Sequence, residues 1–179
     1  MTEPLAKELL TTATGVGRWQ LDETASSVHF EHRSVWGLVN VKGVFAKFSG
    51  VGGIEPGGAL TGTLRIDAAS VDTKQGKRDE HLRSADFFDV ERHPEITAEV
   101  NSATVTADGV ELGVELTVRG TTQPLTVPAT VTEAGDGAVT VTARTQVDRG
   151  RHGITWSPLG MMRGLATVRV TAVFRRVAD

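Results

Sequence analysis

VELGVELTV, residues 110 to 118, sets Val110, Leu112, Val114, Leu116 and Val118 on one side of an extended chain and Glu111, Gly113, Glu115 and Thr117 on the other. Successive side chains of a strand point to opposite faces, so this period of two describes a strand with one face in a core and one in water. The same pattern extends outward in both directions. Upstream, Leu60, Leu64 and Ile66 alternate with Thr61, Thr63, Arg65 and Asp67. Downstream come Leu125, Val127, Ala129 and Val131, then Val139, Val141, Ala143 and Val147, then Val168, Val170, Ala172 and Phe174. Turn chemistry punctuates the series: GGIEPGG at 52–58, Asp108-Gly109, Arg119-Gly120 and AGDG at 134–137. Strands are predicted near 16–22, 26–33, 37–49, 58–68, 95–105, 110–118, 122–132, 137–147 and 165–176. Such a run of short strands belongs to an all-β fold, an antiparallel β-barrel of about eight strands or a sandwich. In VNVKGVFAKF the apolar phase moves from Val39 and Val41 to Val44, Ala46 and Phe48, which predicts a β-bulge at Lys42-Gly43.

Three stretches depart from alternation. Residues 72 to 90 carry RDEHLRSADFFDV, too charged for a half-buried strand; Leu82, Ala85 and Phe88 at spacings of three predict a short helical insert ending before Pro94. The first dozen residues fit a further short helix, so residues 1–15 read as an N-terminal extension to a barrel over 16–179. RHGITWSPLGMMRG, 151 to 164, reads as a long loop, a type that in compact domains is functional or disordered.

Composition narrows the function classes. With 179 residues the chain suits one domain with a sizeable core, and with no cysteine it has neither disulfides nor thiolate chemistry. A formal net charge of -3 argues against a nucleic-acid surface. No run approaches the ~18 apolar residues of a spanning helix, so no transmembrane segment is expected. Glu3 and Glu8 stand where a secretory signal would have a basic start and an apolar core, which predicts a cytoplasmic protein.

The interior is the functional question. Gly62, Ala98, Ala129, Ala143, Ala166 and Ala172 fall on the apolar phase, and the chain has no Tyr. Small inward residues leave room for a ligand; equally, they suit places where strands approach closely. Strand phase turns His32 inward with Val28 and Phe30 and turns His29 outward. The two histidines therefore make a poor metal pair, and His32 is either a ligand contact or a hydrogen-bonded core residue. Asp79 and His81 are two apart, the wrong spacing for shared acid–base work on a helix. Arg78, His81 and Arg83 either fasten the insert to the barrel or offer hydrogen bonds to an anionic head group. Asp148, Arg149, Arg151 and His152 form a second polar knot, a turn with ion pairs or a phosphate clamp. Trp156, Met161 and Met162 beside it are core filler or an adaptable apolar lining. No nucleophile, base and orienting group stand in a recognisable arrangement, so no catalytic residue, metal site or cofactor is assigned.

Several segments resemble the YceI-like family of bacterial lipid-binding proteins: GRWQLDETASSVHF (17–30), GVFAKFSG (43–50), SVDTKQGKRDEHLRSADFFDVERHPEI (70–96), LTVRGTTQPL (116–125) and DRGRHGI (148–154). The resemblance implies a lipocalin-like barrel that holds a long-chain isoprenoid or similar lipid, such as a polyprenyl pyrophosphate or quinone, without transforming it. On that basis Phe30, Val44, Phe48, Leu64, Leu112, Val114, Val141 and Val170 would contact the tail, with Trp156 and Met161 in the lining and His32, Arg78 and His81 near the head. Many relatives are periplasmic, and this start differs from theirs, which points to carriage, storage or sequestration in the cytoplasm. Two rivals stand beside this reading: an enzyme acting on such a lipid with a His or Asp base, and a packed stress-response or interaction module that forms a homodimer through an outer sheet face.

Overall fold

The computed structural model describes residues 2–162 and 164–178, the first three of these by backbone alone. Eleven strands form one sheet: β1 (Gly17–Leu21), β2 (Ser27–Ser34), β3 (Val39–Phe45), β4 (Phe48–Ile54), β5 (Leu60–Asp67), β6 (Val71–Asp72), β7 (Glu95–Thr106), β8 (Gly109–Val118), β9 (Thr121–Gly135), β10 (Ala138–Val147) and β11 (Ala166–Arg176). Eight of them, β1, β4, β5 and β7 to β11, close a ring of antiparallel neighbours, and β2, β3 and β6 continue from β11 as a flap. Two helices accompany them, α1 (Thr2–Thr11) and α2 (Gly76–Arg83).

The long hairpins from β7 to β10 follow from alternation and turn residues. Arg119 and Gly120 sit at φ 50° and 71°, and Asp136 and Gly137 at 51° and 74°. These are the left-handed pairs of type I′ turns, whose twist matches that of paired strands. β9 extends through Gly135, with a register shift against β10 beside it, and the second of these turns spans only Asp136 and Gly137.

β11 has two neighbours along one edge. Its residues 167–171 pair with β2 and its residues 174–176 with β1. Between β1 and β2 the chain jogs at Asp22, whose carboxylate accepts from the Thr24 hydroxyl at 2.7 Å, the Thr24 and Ala25 amides, and Arg175 Nε at 2.9 Å. Those donors, Thr24 foremost and Arg175 next, hold the Asp22 carboxyl at about 2, below its ordinary 3.8.

Two expectations are corrected. The ladder between β2 and β3 runs without interruption from His29–Val44 to Ser34–Val39, so no bulge occurs at Lys42-Gly43. The phase changes instead at Ala46-Lys47, where β3 ends and β4 begins. Gly43 has a different purpose: a Cβ there would lie 2.5 Å from Phe30 Cζ and 2.9 Å from Thr73 Cγ2, so the missing side chain makes room for the Phe30 ring. Lastly, GGIEPGG is only half a turn. β4 continues through Gly52, Gly53 and Ile54, and the reversal spans 55–58, closed by Glu55 N–H donating to Ala59 O at 2.9 Å.

Two clusters fill the ends of the barrel. One gathers Val28, Phe45, Ile66, Val71, Phe87, Ile96, Val118 and Ile154 beside α2; the other gathers Trp19, Val110, Ala129, Val131 and Val139 beneath Ala6 of α1. Burying each large side chain contributes roughly 1.5–3 kcal/mol. α2 is fastened by polar bonds. The buried Asp79 carboxylate accepts from Thr73 N at 2.9 Å and Thr73 Oγ1 at 2.6 Å; Arg78 donates to Thr73 Oγ1 and Thr73 O; Arg83 donates to Ala69 O at 2.8 Å and Val71 O at 3.2 Å.

A candidate ligand cavity

The barrel is hollow, and the cluster beside α2 forms part of the wall of that space. A cavity of about 510 Å³ runs along its axis, within the range of small-molecule sites, and a second space of about 170 Å³ lies under α1. Leu64, Val100, Leu112, Val141 and Phe174 line both, so they form the partition between them. This hollow interior overturns the rival of a packed module.

The cavity has two unlike ends. Toward α1 its walls are Val100, Leu112, Val141, Ala172 and Phe174. At the opposite end, which is referred to below as the mouth, stand Ser34, Arg78, His81, Thr145, Arg149 and His152 with His32 among them. The strands place them. β2 and β10 bring Ser34 and Thr145 there at their last turns of pleat, α2 presents Arg78 and His81, and a 3-10 turn over Arg149–His152 supplies the rest.

His32 is the unusual member. It is 7% exposed, and neither ring nitrogen has a hydrogen-bond partner among the described residues. Burial first and the Arg149 guanidinium second hold its pKa below the ordinary 6.5; the Gly164 backbone opposes them without completing a bond. The ring is therefore neutral at pH 7, offering one N–H and one bare nitrogen to the cavity. A buried polar atom without a partner costs on the order of 1–3 kcal/mol, which a bound ligand atom would recover.

The other polar groups are already engaged. Arg149 donates to Trp156 O at 2.9 Å and Met162 O at 2.8 Å, pinning the loop after it; its burial pulls its pKa down. His152, 2% exposed, donates from Nδ1 to Thr121 O at 2.9 Å. His81 Nε2 meets Asp86 Oδ2 at 2.8 Å, and its ring stands edge-on to Trp156 with centroids 4.5 Å apart.

Of the residues singled out from sequence, Phe30, His32, Leu64, Arg78, His81, Leu112, Val114, Val141, Trp156, Met161 and Val170 line this one space. Val44 and Phe48 do not. Val44 stands opposite His29 on the outer face of β3, because the inward residues of that strand are Val41, Gly43 and Phe45; Phe48 packs against the cluster beside α2 without reaching the cavity. Phe45, Ser34, Thr145, Arg149 and His152 are lining residues that the pattern did not select. Arg149 and His152 left a trace in the DRGRH knot, whereas Phe45 was hidden by the misplaced phase change.

The YceI-like domain family matches residues 19–174. The chain belongs to that family. Its barrel is also similar to BcnA of Burkholderia cenocepacia, with TM-score 0.76 and 22% identity over 86% of this chain and 98% of that one. A polyisoprenoid binding domain from Saccharophagus degradans gives TM-score 0.72 at 18% identity, covering 89% and 98%. Among curated sequences, a UPF0312 protein of Staphylococcus aureus is 35% identical over 46% of this chain and 49% of its own length. Protein YceI of Escherichia coli O157:H7 is 45% identical over 27% of this chain and 25% of its own length. The chain thus spans a quarter to about half of the curated relatives it matches. The YceI-like match begins after α1, so the helix that closes the far end of the barrel lies outside it.

Proposed function

We propose that this protein binds one amphiphilic lipid with a long apolar chain, of the isoprenoid class, and carries, stores or sequesters it unchanged. The observation that carries this reading is an interior of hydrocarbon, continued at the α2 end by Phe45, Phe87 and Ile154, in which a buried, neutral, unpartnered His32 is set. A chain in such a sleeve gains about 0.8 kcal/mol per buried methylene, so affinity rises with length until the tail meets Leu112 and Phe174. His32 would bond the polar head, with Arg78, His81 and Arg149 within the same lining. The likeness to a polyisoprenoid binding domain supports the isoprenoid class.

Native mass spectrometry of the protein purified from its own host tests this directly. A reproducible isoprenoid-sized adduct, released by solvent extraction, is expected. No adduct, together with no thermal stabilisation by added prenyl alcohols, quinones and pyrophosphates of several lengths, would sink the proposal.

One observation favours a second reading. His81, on the cavity wall, pairs with Asp86 outside it, a histidine–carboxylate arrangement that a general base uses. Turnover of a prenyl ester or pyrophosphate that His81→Ala abolishes would replace the binding protein with an enzyme; recovery of the lipid unchanged would retire that reading.

A further inference from the structure

The large apolar side chains that the fold leaves in water are not scattered. Trp36 is 56% exposed, Leu38 84%, Val39 42%, Leu159 86% and Leu165 47%; apart from Val51 these are the large exposed hydrophobics among the described residues. All five belong to two segments, the turn between β2 and β3 with the first residue of β3, and the loop before β11. Trp36 N–H donates to Met161 O at 3.0 Å, so the two segments form one surface. Directly inside that surface, Val35, Met161 and Met162 line the cavity. The backbone is held in the left-handed region at Val35 (φ 51°), Trp36 (φ 53°) and Leu159 (φ 51°), an unfavourable place for branched and bulky residues. These contorted tips keep Trp36 and Leu159 outside the barrel.

Charge is sorted in the same place. Among the described residues of 33–42 and 149–165, Arg33, Lys42, Arg149 and Arg151 are basic and none is acidic, the neighbouring carboxylates being Glu31 and Asp148 at their margins. Arg149 is spent internally on loop carbonyls. Lys42 and Arg151 have only loose, exposed partners, Glu31 and Asp148, each at 3.9 Å.

We propose that this rim is a docking face for an anionic lipid bilayer, through which the cavity loads and unloads its ligand; the proposal rests on the lipid-binding function above. An interfacial Trp with projecting leucines, set among cations, matches the headgroup region of a membrane in both polarity and sign. The position also solves a transport problem. A long-chain lipid is insoluble, and a cavity whose mouth lies against the bilayer lets the chain pass from one apolar medium to another without crossing water.

The test uses the full chain with phosphatidylcholine vesicles made with and without phosphatidylglycerol. Co-sedimentation with the anionic vesicles is expected, weakened by salt, with tryptophan fluorescence quenched by brominated lipid. Trp36→Ser combined with Leu159→Ser should lower vesicle affinity by about tenfold or more and remove the quenching. Neither residue lines the cavity, so binding of a fluorescent prenyl alcohol in solution should stay within about twofold, and the thermal midpoint should hold, as surface substitutions generally allow. Absence of sedimentation at low salt, or sedimentation that the double variant does not reduce, would overturn the docking face. So would a dimer that the double variant dissociates, because the patch would then belong to a second copy. If vesicles are bound while the prenyl probe is not, the cavity function fails and the docking proposal fails with it; if the probe is bound but vesicles are not, only the docking face is lost.

Discussion

The two ends of the barrel are built on different rules. At the α1 end, paired strands present Val, Leu, Ala and Phe to the interior, with register shifts in the β7–β8 and β9–β10 ladders and a two-residue turn at Asp136-Gly137. At the mouth the sheet splits into a flap, a helix and 3-10 turns take over, and nearly every polar lining residue comes from these irregular pieces or the last residues of a strand. The strands supply most of a hydrocarbon sleeve, while α2, the 3-10 turn over Arg149–His152 and the ends of β2 and β10 supply the polar side chains. On the proposed lipid-binding reading, head-group discrimination and tolerance of the tail would be separate properties of separate segments.

Substitutions can break that division at either end. The largest effect is expected from Asp79→Ala, which strands the Thr73 amide and hydroxyl beneath α2 and should cost about 3 kcal/mol in urea unfolding. A loss under about 1 kcal/mol would mean that the mouth does not depend on this anchor. Gly43→Ala comes next: its Cβ meets the Phe30 ring at 2.5 Å, and overpacking of this kind costs about 1–3 kcal/mol. A neutral outcome would show that the ring has somewhere to retreat. Ala143→Phe acts on the sleeve alone. It should reduce affinity for a long-chain prenyl ligand by about tenfold while leaving the unfolding midpoint unchanged or higher, since it fills space the protein leaves empty. Undiminished affinity would place the tail elsewhere.

The smallest effect concerns pH. The folded pKa of His32 lies below the unfolded 6.5, so the unfolded chain takes up a proton first and stability falls as pH drops below 6.5 toward the folded value. His32→Leu should flatten that part of the stability profile without altering it above pH 7. A bound head group should flatten it or steepen it according to whether it accepts from the ring or donates to it. Equal profiles for wild type and variant would assign the slope to another group.

How much of this was readable in the chain depended on side chains being present to read. VELGVELTV and the strands after it announce themselves because every second residue is apolar and large. The bend between β3 and β4 was misplaced because the inward residue at its approach is Gly43, which contributes nothing to a hydropathy pattern while being essential to the packing. β4 carries inward or half-buried glycines at 50, 52 and 53 and looked like a turn for the same reason. The mouth was legible as charge but not as geometry. The spacing of Arg78, Asp79, His81 and Arg83 could not show that Asp79 bonds Thr73 while His81 reaches Asp86, since both partners lie outside the helix. Nor could DRGRH show that a 3-10 turn would bury His152.

The double pairing of β11 has a mechanical meaning. Its 174–176 segment completes the ring through β1, while its 167–171 segment holds β2 and, through it, the flap. Hydrogen bonds that keep the barrel closed and hydrogen bonds that would stretch when the mouth widens are consequently consecutive on one strand yet independent of one another. A guest can pry at the flap without loosening the hoop, much as a purse frame opens while its seams stay sewn.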